Sequence, residues 1–159
     1  MHGESQANRL ASLMQKHKSL PSYELALPLV TVPSLSLDNL EVDDVLLLRL
    51  EVFECILLNN DILYANVIPV HEKRRVMIKV LDMVNKKVSK TQRKEHEVLK
   101  LSFGTVQSRS LEVGHKIDVS QMDLTTVSLM RKKKKIATAS LINVDGKMAV
   151  KVDKVEKNG

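Results

Sequence analysis

The side chains of this chain that could do acid–base, nucleophilic or metal chemistry are few and scattered. The histidines are His2, His17, His71, His96 and His115, and none is spaced with Cys, Asp or Glu in a metal-ligand pattern. His71 and His96 stand in charged stretches, where solvation is the ordinary state, and His115 occupies a turn position. Asp43 and Asp44 are adjacent carboxylates on an expected turn, and neighbours there point apart rather than share a proton. The single cysteine, Cys55, lies in the apolar run Phe53-Glu54-Cys55-Ile56-Leu57-Leu58 and reads as a buried, unreactive thiol. The chain has no glycine-rich phosphate loop, no nucleophile elbow and no His-Glu-x-x-His. The expectation is a protein without a catalytic centre, metal or cofactor.

One polar feature stands out, the run Arg131-Lys132-Lys133-Lys134-Lys135. Five successive cations can grip phosphates, dock an acidic protein or stay solvated. No aromatic residue in the run offers a base a stacking surface. The wider composition leaves the same choice open. The 159 residues carry a net charge of +6, with 43% hydrophobic and only 3% aromatic residues and no Trp. The core must therefore be aliphatic, built from Leu, Val, Ile and Met. No run approaches the roughly 18 apolar residues of a membrane span, and the first residues lack the basic-then-apolar pattern of a signal peptide. These features predict a soluble, cytoplasmic protein.

The elements that would position these residues are written mostly with a period of two. An amphipathic helix is expected from Ser5 to Lys18, where Leu10, Leu13, Met14 and His17 share a face and Pro21 stops the run. Beyond Tyr23 apolar residues alternate, and Pro28 and Pro33 predict an edge or bulged strand. Strands are expected at Val45 to Leu50, Glu51 to Leu58, Ile62 to Val70 and Val76 to Val84. Asn59-Asn60-Asp61 and Asp145-Gly146 are hairpin signals. Later strands are expected at Val98 to Phe103, ended by Gly104, and at Lys116 to Val119, Thr126 to Met130, Ile136 to Val144 and Met148 to Val152.

The chain also repeats itself. Leu40-Glu41-Val42-Asp43-Asp44-Val45-Leu46 returns as Leu111-Glu112-Val113-Gly114-His115-Lys116-Ile117, and Asp61 to Val70 is echoed by Lys135 to Val144. The period of roughly 70 residues is too long for a solenoid and fits two small modules. The reading divides the chain into a helical leader (1–22), a first module (23–84), a polar linker (85–96), a second module (97–155) and a tail (156–159). Each module is small for an independent core, and Val45 to Leu48 is apolar on both faces, so the two are expected to pack together and exchange strands.

In these residues the chain resembles the SPOA-domain family. The resemblance rests on Leu25 through Leu29, Leu35-Ser36-Leu37, and Leu40-x-x-Asp43-Asp44-Val45-Leu46-Leu47-Leu48. Asp43 stands where the family carries glycine, and Leu111-x-x-Gly114 keeps that glycine. It implies a mainly β fold of two SPOA-like modules packed as an intertwined pseudo-dimer, with a short N-terminal helix. It further implies a non-enzymatic scaffold of the type III secretion cytoplasmic ring or sorting platform, in the cytoplasm at the inner-membrane face. The implied partners are the regulator or stator of the export ATPase and other ring subunits, with homo-oligomers possible, no specific nucleic acid and membrane contact only through partners. The implied partner-binding residues are Leu141, Ile142, Asn143, Val144 and Asp145. Two alternatives stay open, a flagellar motor switch component of the same fold and a basic β-barrel nucleic-acid binder.

Overall fold

A computed structural model describes residues 20–88 and 95–156 of the chain. The helix expected at Ser5 to Lys18 lies outside the described residues. The described chain is almost all strand: β1 (Ser22–Ala26), β2 (Val30–Pro33), α1 (Ser34–Asp38), β3 (Val45–Leu50), β4 (Cys55–Asn59), β5 (Ile62–Glu72), β6 (Arg75–Lys87), β7 (His96–Gln107), β8 (Lys116–Asp118), β9 (Thr126–Arg131), β10 (Lys134–Val144) and β11 (Lys147–Val155). No helix of the described residues is long and apolar enough to cross a membrane.

The tight turns follow from local chemistry. Asn60 and Asp61 join β4 to β5 with φ of 47° and 66°, and Asp145 and Gly146 join β10 to β11 with φ of 53° and 81°. These left-handed pairs match the twist of the strands that they connect, and Asn, Asp and Gly adopt them at low cost. Two further hairpin turns place cations in the same conformation, Lys73 and Arg74 at 43° and 70°, and Lys132 at 58°.

All strands belong to one antiparallel sheet of order β3-β11-β10-β9-β7-β1-β4-β5-β6-β8, with β2 pairing β7 beside β1. The order reads the same from either end when β1 is exchanged with β7, β3 with β8, β4 with β9, β5 with β10 and β6 with β11. The end strands cross over. β3 pairs with β11, far along the chain, and β8 pairs with β6. At the centre β1 and β7 run antiparallel, and Leu27 donates its N–H to the Leu101 carbonyl at 3.0 Å.

The repeated sequence Leu40 to Leu46 and Leu111 to Ile117 occupies matching places. The Asp43 N–H donates to the Val152 carbonyl, and the Val152 N–H donates to the Asp44 carbonyl, each at 2.8 Å. The Gly114 N–H donates to the Val80 carbonyl, and the Val80 N–H donates to the His115 carbonyl, again at 2.8 Å. Asp43 has φ of 75° and Gly114 of 89°. Asp43 thus holds a conformation that glycine adopts without strain. Replacing Asp43 by Gly is expected to raise stability by about 0.5 kcal/mol in urea unfolding, since both backbone bonds persist. The exposed Lys151–Asp43 pair at 3.5 Å is too weak to reverse the sign. A loss of stability would contradict this account.

One aliphatic core serves both halves of the chain. Leu25, Leu57, Val67, Ile78 and Val80 from the first half join Leu99, Leu101, Val127, Leu129, Val150 and Val152 from the second, all nearly or fully buried. Each such side chain contributes roughly 1.5–3 kcal/mol by leaving water. A small cluster of Ala26, Ile56 and Leu58 covers the other face of β1 and β4.

Several local expectations are corrected. The prolines do not send the first strand to an edge: β1 is central, because Pro28 falls between β1 and β2 and Pro33 ends β2. Residues 51–54 form a bend rather than the start of a strand. Gly104 does not end β7 but lies within it at φ 126°, opposite the register shift between Leu25 and Ala26. The polar stretch read as a linker is entered from both sides, by β6 up to Lys87 and by β7 from His96.

Candidate docking surface

The five residues expected to bind a partner fall at the end of β10 and in the turn to β11. Leu141, Ile142, Asn143 and Val144 pair with Val150, Ala149, Met148 and Lys147. In a strand successive side chains alternate between faces, and directly paired residues share a face. Ile142, Ala149 and Leu47 therefore form one row across β10, β11 and β3, on the face away from Leu46 and Val150. Val144 lies beside this row on β10, and Val45 beside it on β3. Leu47 is 59% exposed and Val45 48% exposed, and Val42 and Val52 close to the two ends of β3 are exposed as well. Leu47, Val144, Asp145, Lys147 and Met148 line one shallow hollow, and Phe53, Leu124, Leu141, Ile142 and Asn143 line another that shares Met148.

Not all five are equivalent. The Asn143 side-chain oxygen accepts the Gly146 N–H at 2.9 Å. It therefore shapes the hairpin turn, which explains a polar residue in an otherwise apolar run. Leu141 turns toward the core and donates its N–H to the Thr125 carbonyl at 2.8 Å. Asp123 steadies that loop by accepting the Thr125 hydroxyl at 2.5 Å, the Thr125 N–H at 2.9 Å and the Thr126 hydroxyl at 3.0 Å, and these bonds hold its carboxyl below the usual range. Ile142 and Val144 are left as the outward contacts. The sequence pattern does not mark Val45 and Leu47 as binding residues. Their signal is the run Val45 to Leu48, apolar at successive positions although Val45 and Leu47 stand exposed.

The symmetry-related end of the sheet is chemically different. There the row corresponding to Ile142, Ala149 and Leu47 is Val70, Met77 and Asp118. Lys116 stands where the first half has Val45. Lys116 pairs with Glu72, and Arg75 lies 3.8 Å from Asp118. The two ends thus differ at their edge strands, apolar at Val45 and Leu47 on β3 and charged at Lys116 and Asp118 on β8. No protein-family model matches the chain, and none of the curated proteins matches it in sequence.

The remaining chemical residues stay apart. Asp44 accepts the Glu41 N–H at 2.9 Å while Asp43 faces Lys151, so the adjacent carboxylates have separate partners. Cys55 is buried, and burial, aided by the nearby Glu54 charge, pushes its thiol up to about 12, leaving no thiolate at neutral pH. His115 Nε2 lies 3.2 Å from the Ser108 hydroxyl, but that hydroxyl donates to the Ser110 carbonyl at 2.7 Å. Its proton is thus committed away from the imidazole. His71 and His96 are exposed at strand ends, and His2 and His17 lie outside the described residues. Among the described residues no three His, Cys, Asp or Glu are grouped as a metal would need.

The basic run forms the β9–β10 tip, which corresponds to the Asn60-Asp61 turn. Its five charges are not alike. Arg131 donates Nε and Nη2 to the Glu97 carboxylate at 2.9 and 2.5 Å and Nη1 to Asp38 at 2.7 Å. It is a clamp between β9, β7 and α1, while Lys132, Lys133, Lys134 and Lys135 are exposed.

Proposed function

We propose that this chain is a non-enzymatic scaffold built as an intertwined pseudo-dimer of two SPOA-like modules, serving the cytoplasmic ring or sorting platform of a type III secretion system. The observation that carries this reading is the symmetric strand order with β3 and β8 exchanged, and with Asp43 and Gly114 in the same backbone position. The resemblance named above implies that architecture. The chemistry of the surface is consistent with docking: apolar residues are exposed on one face, and the candidate catalytic groups are dispersed or buried. On this reading the regulator of the export ATPase binds at Ile142, Val144 and Leu47, in the cytoplasm beneath the inner membrane.

The test is capture of that regulator from a lysate containing a type III system. The native chain should retain it, and Ile142→Asp should lower retention by about tenfold or more, since a charge in the middle of an apolar contact is costly to desolvate. Circular dichroism establishes that the variant is folded. A folded native chain that captures no export component sinks the reading. Capture of flagellar rather than secretion components would assign the same scaffold to the motor switch.

The four exposed lysines at the β9–β10 tip favour a second reading, nucleic-acid binding. A generic oligonucleotide titrated at two salt concentrations tests it, because phosphate contacts give a steep salt dependence.

A further inference from the structure

β3 is an edge strand. Its one neighbour among the described residues is β11, so the backbone groups on its other side have no strand partner there. Proteins usually protect such an edge with charge, brevity or cover. The corresponding edge, β8, has two of these protections: it is three residues long, and Lys116 and Asp118 point outward. β3 is six residues long and presents Val45 and Leu47. The surrounding charge is distinctive. Residues 41–54 hold five carboxylates (Glu41, Asp43, Asp44, Glu51 and Glu54) and one cation, Arg49, in a chain of net charge +6. The carboxylates lie just before and just after the strand and flank both ends of the apolar edge, Asp43 among them facing Lys151 of β11 at 3.5 Å.

We infer that β3 accepts an extended partner segment by strand addition, and that this segment has alternating apolar residues with Lys or Arg at both ends. Main-chain hydrogen bonds to β3 supply affinity. Val45 and Leu47 select apolar side chains on one face, and the two carboxylate groups select cationic flanks. The inference rests on the docking role proposed above for this face and adds the form and charge of what docks. It also implies one such partner per chain, because the charged β8 edge does not offer the same acceptor.

The probe is a short synthetic peptide of alternating Val and Thr with two lysines at each end, read by fluorescence anisotropy against the full chain. It should bind at least about tenfold tighter than an isomer ending in glutamates, and the advantage should shrink as salt rises from about 50 to about 300 mM. Methylating alternate backbone nitrogens, in either register, should weaken it by about tenfold in the register that faces β3. Val45→Lys with Leu47→Asp copies the residues that the β8 edge already carries. It should keep the circular dichroism of the native chain and lose the peptide. Equal binding of the glutamate isomer, indifference to methylation in both registers, or no binding of the lysine peptide would each overturn the inference. Capture of the ATPase regulator in the presence of such a result leaves the scaffold reading intact. Peptide binding with no capture leaves strand addition standing and removes the secretion assignment.

Discussion

Cut between Lys87 and His96, the chain stays in one piece under native conditions. Both fragments are expected to elute together from gel filtration at the mass of the intact protein, and each prepared alone is expected to lack native β circular dichroism. The pairing explains why. The first fragment contains β3, whose strand partner β11 is on the second fragment. The second contains β8, whose strand partner β6 is on the first. The β1–β7 and β2–β7 seams also join the two, and the main core draws on both. A half of some 70 residues is near the lower limit for an independent core even when its strands are all internal. Here each half would also expose the unpaired backbone of a central strand, which costs free energy wherever water is excluded. Cutting the connection makes association bimolecular, so the melting temperature should fall and depend on concentration. Fragments that separate and remain folded would overturn the description of the sheet as one interleaved unit.

Local chemistry was legible in the sequence where it is self-contained. Asn60-Asp61 and Asp145-Gly146 specify tight hairpins because positive φ is cheap for those residues, and the turns lie where those pairs place them. The repeat pointed to two equivalent turns, and Asp43 adopts the conformation of Gly114. What local rules could not supply was partner choice over long separations. Pro28 reads as an edge marker because proline lacks an N–H, yet a proline in the gap between two strands leaves both free to pair centrally. Gly104 reads as a stop because glycine weakens strands, yet a bulge needs the backbone freedom that glycine has. The polar residues of β6 near Lys87 read as linker because Asn85, Lys86 and Lys87 are all exposed, so both sides of that strand end face water. The docking residues were half legible. The run Leu141 to Asp145 was singled out, but Leu47 and Val45 reach that face only through the β3–β11 pairing, which no local pattern encodes. The basic run misleads in the opposite way, since its first charge is spent inside the fold.

That first charge steepens the acid limb of stability, to which Asp118 and Asp123, also held low by hydrogen bonds, contribute as well. The Glu97 carboxyl is held down to about 2, first by the hydrogen bond from Arg131, then by a hydrogen bond from Ser34 and by the nearby cationic charge. Its ordinary value is 4.5. The folded chain therefore binds fewer protons than the unfolded chain between these two values. The contribution is present in full above about pH 4.5 and is lost as pH falls toward about 2. The Glu97 side chain is 13% exposed and that of Arg131 28%. Allowing for partial screening, the contribution is about 1 to 2 kcal/mol. Arg131→Ala should cost somewhat more, about 2 to 3 kcal/mol, because it leaves two carboxylates, Glu97 and Asp38, without the cation that they share. Arg131→Lys should recover only part of this, since one ammonium cannot reproduce a two-pronged contact to Glu97 while also reaching Asp38. Urea unfolding of the native chain, Arg131→Ala and Glu97→Gln from pH 2 to pH 7 separates the terms. The native chain should lose stability on acidification below about pH 4.5, and Glu97→Gln should flatten that limb. If the three acid limbs run parallel, the clamp does not control it. The same series bears on the basic tip: an oligonucleotide held by Lys132 to Lys135 should bind a folded Arg131→Ala chain more weakly than the native one, because the uncovered Glu97 carboxylate acts on Lys132.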